Sequence, residues 1–252
     1  HPEIVKTSKL RFLIREFIGL YRYFKARVRY STHDHPVFIS DKSKLAIKQK
    51  KNESFKSFFM RVEDIRYDKK KRISKNVKSS SKYFATAVQL IPFLISKCGL
   101  RRNIKVLDYG SGGLRCGFGL LDYLDQSCYS CADITGDFIT DALKNSFLLS
   151  ELYRSKKGKF YEIDKDKIPE TYFDLVISSY VVHHIPKEEL ETFFKSVKIY
   201  LKYEGLFYFD FLPCTNYLKL NSITFTYPYR IILNTLKNIG FEIVATYGAS
   251  II

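Results

Sequence analysis

The stretch VLDYGSGGLRCGFGLLDYL, residues 106–124, leaves room for few folds. Ile104, Val106 and Leu107 read as a buried strand, and Leu114, Phe118, Leu120, Leu121 and Leu124 recur at roughly helical spacing, so a glycine-dense turn joins a strand to a helix. Glycines at the carboxyl end of a parallel strand let a ligand approach the backbone, and the helix that follows opens with unpaired N–H groups. The pattern departs from the dinucleotide fingerprint, because counting from Gly110 and Gly112 the third glycine position holds Arg115. No phosphate-cradling Gly-Lys-Ser/Thr follows it. A turn that serves backbone geometry alone is the plainer alternative.

Beyond this turn, strand and helix patterns alternate. Strands are expected near 104–109, 128–133, 159–163, 173–179, 205–211 and 241–247, with helices near 114–124, 136–149, 187–201 and 226–239. A helix over 84–98 precedes them, with a kink or break near Pro92. The order predicts an α/β architecture: a Rossmann-like, doubly wound, mostly parallel sheet covered by helices on both faces. The 252 residues, 46% hydrophobic and 16% aromatic, suffice for one ordinary core of about 150 residues and an elaboration.

The charge divides the chain differently. Residues 1–100 carry 24 Lys/Arg against 8 Asp/Glu, whereas the rest carry 18 of each, so the whole excess of +16 precedes the glycine turn. Residues 1–83 are therefore set apart as a basic, mainly helical N-terminal region and linker, a substrate cover or partner-binding segment, ahead of a catalytic domain over 84–252. Within it, residues 10–29 place Leu10, Leu13, Ile14, Phe17, Tyr21, Phe24 and Val28 on one helical face and Arg11, Arg15, Arg22 and Arg29 on another. Such a helix suits an anionic membrane surface or packing on the catalytic domain, and no apolar run reaches the length of a transmembrane span. STHDHPVFISDKSK reads as a loop in which His33, Asp34 and His35 are surface polar groups or substrate contacts. KKKRISKNVKSSSK, residues 69–82, holds seven positive charges and no negative one; it reads as a linker or arm suited to phosphate contact.

Five cysteines at irregular intervals, with no secretory leader pattern ahead of them, argue against a disulfide framework and for a reducing, cytoplasmic setting, peripheral to a membrane if the basic helix docks there. Cys128 and Cys131 fall inside an expected strand with no second Cys/His pair at ligand spacing, so no metal is expected. The chain opens HPEIV, with Met60 its one methionine, and its first residues read as a remnant of processing or cloning.

Over residues 84–250 the motifs resemble class I S-adenosylmethionine-dependent methyltransferases. VLDYGSGG is similar to the family's Asp-x-Gly-x-Gly, with Asp108, Gly110 and Gly112 in place and Leu114 where the fuller pattern has its last glycine. YSCADIT sets Asp133 at the end of the second strand. The resemblance implies S-adenosyl-L-methionine as cofactor, held by Asp108, Tyr109, Gly110, Ser111 and Gly112, by Asp133 and Ile134 at the ribose, by Asp164 at the adenine amino group, and by Ser179. FDLVISSYVVHHI carries Ser178, Ser179, Tyr180, His183 and His184 to the active-site side, and LKYEGLFYFDF resembles the hairpin before the fifth strand. The family's last, antiparallel strand is missing, very short, or formed by SITFTY at 222–227.

Methyl transfer is an in-line displacement, so positioning supplies much of the rate. Tyr109, Tyr180 and Phe211 are candidates to face the sulfonium. An alcohol acceptor also needs a base: His183 or His184 is the first candidate, with His184 alternatively structural, Asp210 is the competitor, and Tyr180 would orient the acceptor. No Asp-Pro-Pro-Tyr or Asn-Pro-Pro-Tyr follows the fourth strand, which favours an oxygen acceptor on a small molecule or glycan, anionic to match the basic region: a phosphorylated or lipid-linked sugar. RNA or another nucleic acid bound through that region is the alternative, and a cofactor-binding interaction module without catalysis is the third reading.

Overall fold

The computed structural model describes residues 48–66, 80–221, 223–247 and 250–251. The basic helix at 10–29, the loop with His33, Asp34 and His35, and residues 69–79 of the basic run lie outside the described residues. Helix α1 spans Phe55–Arg66 and α2 Ser80–Cys98; then come β1 Val106–Tyr109, α3 Gly117–Tyr123, β2 Tyr129–Asp133, α4 Asp137–Asn145, α5 Phe147–Ser155, β3 Lys159–Glu162 and β4 Phe173–Ser178. They are followed by α6 Leu190–Tyr200, β5 Leu201–Asp210, a hairpin of β6 Leu218–Asn221 and β7 Thr224–Thr226, α7 Tyr229–Asn238, β8 Thr246–Tyr247 and β9 Ser250–Ile251.

The main sheet runs β3-β2-β1-β4-β5-β9-β8. Strands β1 to β5 are parallel, with Asp108 opposite Cys131 on one side and Ile177 on the other, and β9 lies antiparallel to both β5 and β8. Successive side chains on a strand point to opposite faces, so each strand feeds two cores. Val106, Tyr129, Cys131, Leu175, Ile177 and Tyr208 pack under α2 and α3, whereas Leu107, Val176, Phe207 and Phe209 pack under α6 and α7. The doubly wound expectation holds, and the first strand ends where β2 and β4 flank it, placing the glycine turn at the switch point of the sheet.

Several boundaries differ from expectation. The basic run does not extend as a linker to residue 82, because α2 starts at Ser80 and runs unbroken through Pro92. Leu90, Leu94 and Cys98 are buried on its inner face, and this packing outweighs the N–H that proline removes. The single helix expected at 136–149 is two: Ser146 turns extended (φ −137°, ψ 102°) and its hydroxyl accepts from Leu149 N at 3.3 Å, capping α5. SITFTY does not join the main sheet; its centre forms β7 of the separate hairpin, and the antiparallel strand is the two-residue β9. Of the strand expected at 241–247 only Thr246–Tyr247 is extended and paired. Among the described residues no helix is long and apolar enough to cross a membrane.

Candidate active site

The glycine turn is pinned to the neighbouring strand. Gly110 N and Ser111 N both donate to Ala132 O, at 2.8 and 3.1 Å. Gly110 sits at φ +84°, and a Cβ there would run into the Val181 side chain beyond β4. Gly112, at φ +51°, faces open space instead, with no atom near the position a Cβ would take. Leu114 stands where a third glycine would be expected and takes φ +61° with its side chain wholly buried.

Two buried carboxylates support this turn. Asp133 Oδ2 accepts from Gly112 N at 2.7 Å and its Oδ1 from Ile134 N at 2.8 Å. Burial pushes its pKa up to about 6, against the pull of the Gly112, Ile134 and Thr135 N–H groups and of the Lys56 charge. Asp108 lies deeper, with Oδ2 accepting from the Tyr129 hydroxyl at 3.1 Å, and desolvation raises it to about 7 although that bond pulls the other way. Gly117 makes the bond possible, since a Cβ there would occupy the place of the Tyr129 hydroxyl.

At the ends of β4 and β5 the chain builds a second polar group. Ser178 Oγ donates to Tyr109 O at 2.8 Å, tying β4 to β1. Ser179 Oγ donates to Asp210 Oδ2 at 2.5 Å, and Tyr180 N donates to Asp210 Oδ1 at 2.7 Å. Burial raises the Asp210 pKa, and these two bonds oppose the rise. Tyr180, at φ +61°, carries the Arg115 guanidinium 5.2 Å over its ring. A cavity of about 210 Å³ opens here between α2 and the strand ends, lined by Gln89, Leu90, Phe93, Ser179, Tyr180, Tyr208 and Asp210.

The histidines occupy a one-turn 3₁₀ helix, Val182–His184. Burial, reinforced by the neighbouring His184, lowers the His183 pKa to about 3 and keeps that ring neutral. His184 Nδ1 lies 2.6 Å from Ile223 O, so the proton is assigned to Nδ1, and Phe59 of α1 packs edge-on to the ring at 5.4 Å. The rings of two other sequence candidates are packed in the core: Tyr109 against Phe193 and Tyr200, and Phe211 against Tyr229.

Helix α1 lies in the region expected to be mainly helical, over residues to which the sequence reading assigned no particular element. Its apolar positions Phe55, Phe58, Phe59 and Val62 follow an i, i+3, i+4, i+7 pattern that would have revealed it. Phe58 and Val62 are buried with Ile223 of the β6–β7 turn, and Phe55 meets Phe225 at 6.1 Å. At the other rim, Lys56 Nζ donates to Ile163 O and to Asp164 Oδ2, both at 3.2 Å. The structure thus gathers Asp108, Gly110, Ser111, Gly112, Asp133 and Ile134 at one turn and Ser179, Tyr180 and Asp210 at the next. Asp164 lies with Lys56 on the rim, and His184 sits under α1. The cavity wall formed by Gln89, Leu90, Phe93 and Tyr208 was missed, because these positions read as ordinary helix and strand core.

Residues 107–209 match the family model described as a methyltransferase domain. Among solved structures, magnesium protoporphyrin IX methyltransferase from Synechocystis PCC 6803, crystallised with bound S-adenosylhomocysteine, is 18% identical with a TM-score of 0.52; the match covers 69% of this chain and 78% of that one. A SAM-dependent methyltransferase from Leishmania major is 17% identical with a TM-score of 0.50, over 66% of this chain and 65% of that one, just under two thirds of its length. These likenesses are of fold. The residues present fit S-adenosylmethionine: Gly112 leaves open space beside the Asp133 carboxylate, whose two oxygens offer more acceptor positions than the Gly112, Ile134 and Thr135 N–H groups occupy.

Proposed function

We propose that the chain, whose residues 107–209 match a methyltransferase domain, is a class I, S-adenosylmethionine-dependent methyltransferase that methylates an oxygen on a small molecule or glycan carrying negative charge. The observation that carries this reading is the cavity beside Ser179, Tyr180 and Asp210. At about 210 Å³ it is smaller than the usual range for ligand pockets, roughly 300 Å³ and above, and suits a single ring or sugar.

The bound sulfonium supplies an electrophilic methyl carbon. S-adenosylmethionine would be held by Asp133 at the ribose hydroxyls, by the glycine turn, and by Asp164 at the adenine. Asp210 receives the proton of the acceptor hydroxyl. Its raised pKa brings its basicity toward neutrality, whereas His183, held near 3, is a weak proton acceptor at pH 7. Ser179 and the Tyr180 N–H fix the carboxylate for that transfer, while Phe93, Tyr180 and Tyr208 wall the acceptor. The excess of Lys/Arg over Asp/Glu before residue 101 supports the anionic character of the acceptor.

The test is to incubate the protein with S-adenosylmethionine labelled on the methyl group and, separately, hydroxylated aromatic acids, phosphorylated sugars and RNA. Base-labile or ether-linked label in either small-molecule pool supports the reading. Label confined to RNA overturns it in favour of nucleic-acid methylation.

A further inference from the structure

Helix α1 bridges two segments that follow strands of the main sheet. Phe59 packs on His184 in the 3₁₀ turn after β4, and Phe58 and Val62 are buried with Ile223 of the β6–β7 turn, which fixes where the helix lies. One turn away, Lys56 reaches the segment after β3 and donates to Ile163 O and Asp164 Oδ2. That segment is itself tied to the ribose end, since Ile163 N donates to Asp133 O at 2.8 Å. Asp164 has a left-handed backbone (φ +69°) and a side chain 73% exposed, so without a partner its carboxylate would sample several rotamers. With Lys56 on Oδ2, Oδ1 is turned free of any hydrogen bond among the described residues.

We propose that Lys56 is a positioning residue of the methyl-donor site: by holding Asp164 Oδ2 and Ile163 O it makes α1 the adenosine-side wall and presents Asp164 Oδ1 to the exocyclic amino group of adenine. This rests on the placement of Asp164 at the adenine. A carboxylate oxygen accepts from an amino group and repels a carbonyl oxygen, so the clamp contributes to discrimination between adenosine and its deaminated counterpart. The contribution is bounded by the exposure of the pair, because ion pairs this open to solvent are weak and salt-sensitive.

Calorimetric titration with S-adenosylhomocysteine and with S-inosylhomocysteine, which differs in carrying a carbonyl oxygen for the amino group, separates the roles. Lys56→Ala is expected to cut the preference for the adenosyl compound by roughly two- to fivefold, with affinity for the inosyl compound changed less than about 1.5-fold, and Lys56→Arg is expected to retain the preference. Equal weakening of both ligands would make Lys56 a mere structural strut, and tighter adenosyl binding would make it a competitor of the adenine; either overturns the proposal. Asp164→Ala tests the placement beneath it. If Asp164→Ala erases the preference while Lys56→Ala leaves it intact, the placement stands and the positioning role falls. If Asp164→Ala leaves the preference untouched, both fall.

Discussion

The Tyr129 hydroxyl donates to Asp108 at 3.1 Å across two adjacent strands, and it can do so because Gly117, one helix away, has no side chain. Three residues far apart in sequence thereby share one buried polar contact under the glycine turn. The bond opposes a large desolvation cost without cancelling it, which leaves Asp108 titrating near 7.

Asp108 gives stability a pH dependence of definite sign. Its folded pKa, about 7, exceeds the ordinary carboxylate value of 3.8, so between these pH values the folded state binds more protons than the unfolded one. Its contribution is most favourable below pH 4, falls as pH rises toward 7 and is level above that, by on the order of 4 kcal/mol in total. Thermal melting of Asp108→Asn against the parent from pH 4.5 to 8 is expected to show the parent losing ground with rising pH, while Asp133, raised to about 6, gives both proteins a smaller slope of the same sign.

Gly110→Ala meets two separate penalties, the left-handed backbone and collision with Val181. A loss of about 2–3 kcal/mol is expected in denaturant melts, and roughly 1 kcal/mol, the backbone part, relative to Val181→Ala when the two changes are combined. Strict additivity of the two substitutions would refute the packing argument.

Asp133→Ala should weaken S-adenosylhomocysteine binding by about 1–3 kcal/mol, the cost of leaving ribose hydroxyls without their acceptor. Calorimetry reads this directly, and unchanged affinity would remove Asp133 from the ribose.

Asp210→Asn keeps the shape and removes the proton acceptor, so turnover on the acceptor should fall by roughly 10²–10⁴ with cofactor affinity nearly intact. His183→Ala should cost far less, since that ring is held neutral with a pKa near 3. The reverse order of effects would return the role of base to the histidine.

Replacing Lys69, Lys70, Lys71 and Arg72 by glutamine in the full chain tests the basic region. If it recruits an anionic acceptor, KM for that acceptor should rise while kcat holds. A polynucleotide partner would instead show a log–log salt slope near −0.7 per phosphate, and a membrane-borne acceptor would carry the protein down with anionic vesicles only. No change in any of the three would make the charge excess a solvated surface.

Much of the fold was legible because β1, the glycine turn and α3 obey local rules: apolar period, glycine density, then helical period. Gly110 and Gly112 were found by the same route, Asp108 and Asp133 through the resemblance to methyltransferase motifs, and the structure gathers all four at the switch point of the sheet. Where expectation failed, distant contacts or short elements were responsible. Pro92 stays helical because Leu90, Leu94 and Cys98 dock the helix. Strands β8 and β9, two residues each, are too short for an alternating pattern to register. Helix α1 left a readable apolar stripe at Phe55, Phe58, Phe59 and Val62, which the reading of the mainly helical region did not single out. The cavity at Asp210 was invisible in another sense, since Gln89 and Tyr208 become neighbours only once α2 lies across the strand ends.

Leu114 makes the turn a mechanical part of the helical layer. Where a glycine would let the loop flex independently of what lies below, Leu114 accepts a left-handed backbone and anchors its wholly buried side chain in the layer that also holds Leu90, Leu94 and Leu120. The same helix α2 lines the cavity at Asp210, so the turn and that cavity rest on one continuous packed layer, and a cavity-creating change at Leu114 removes support from both.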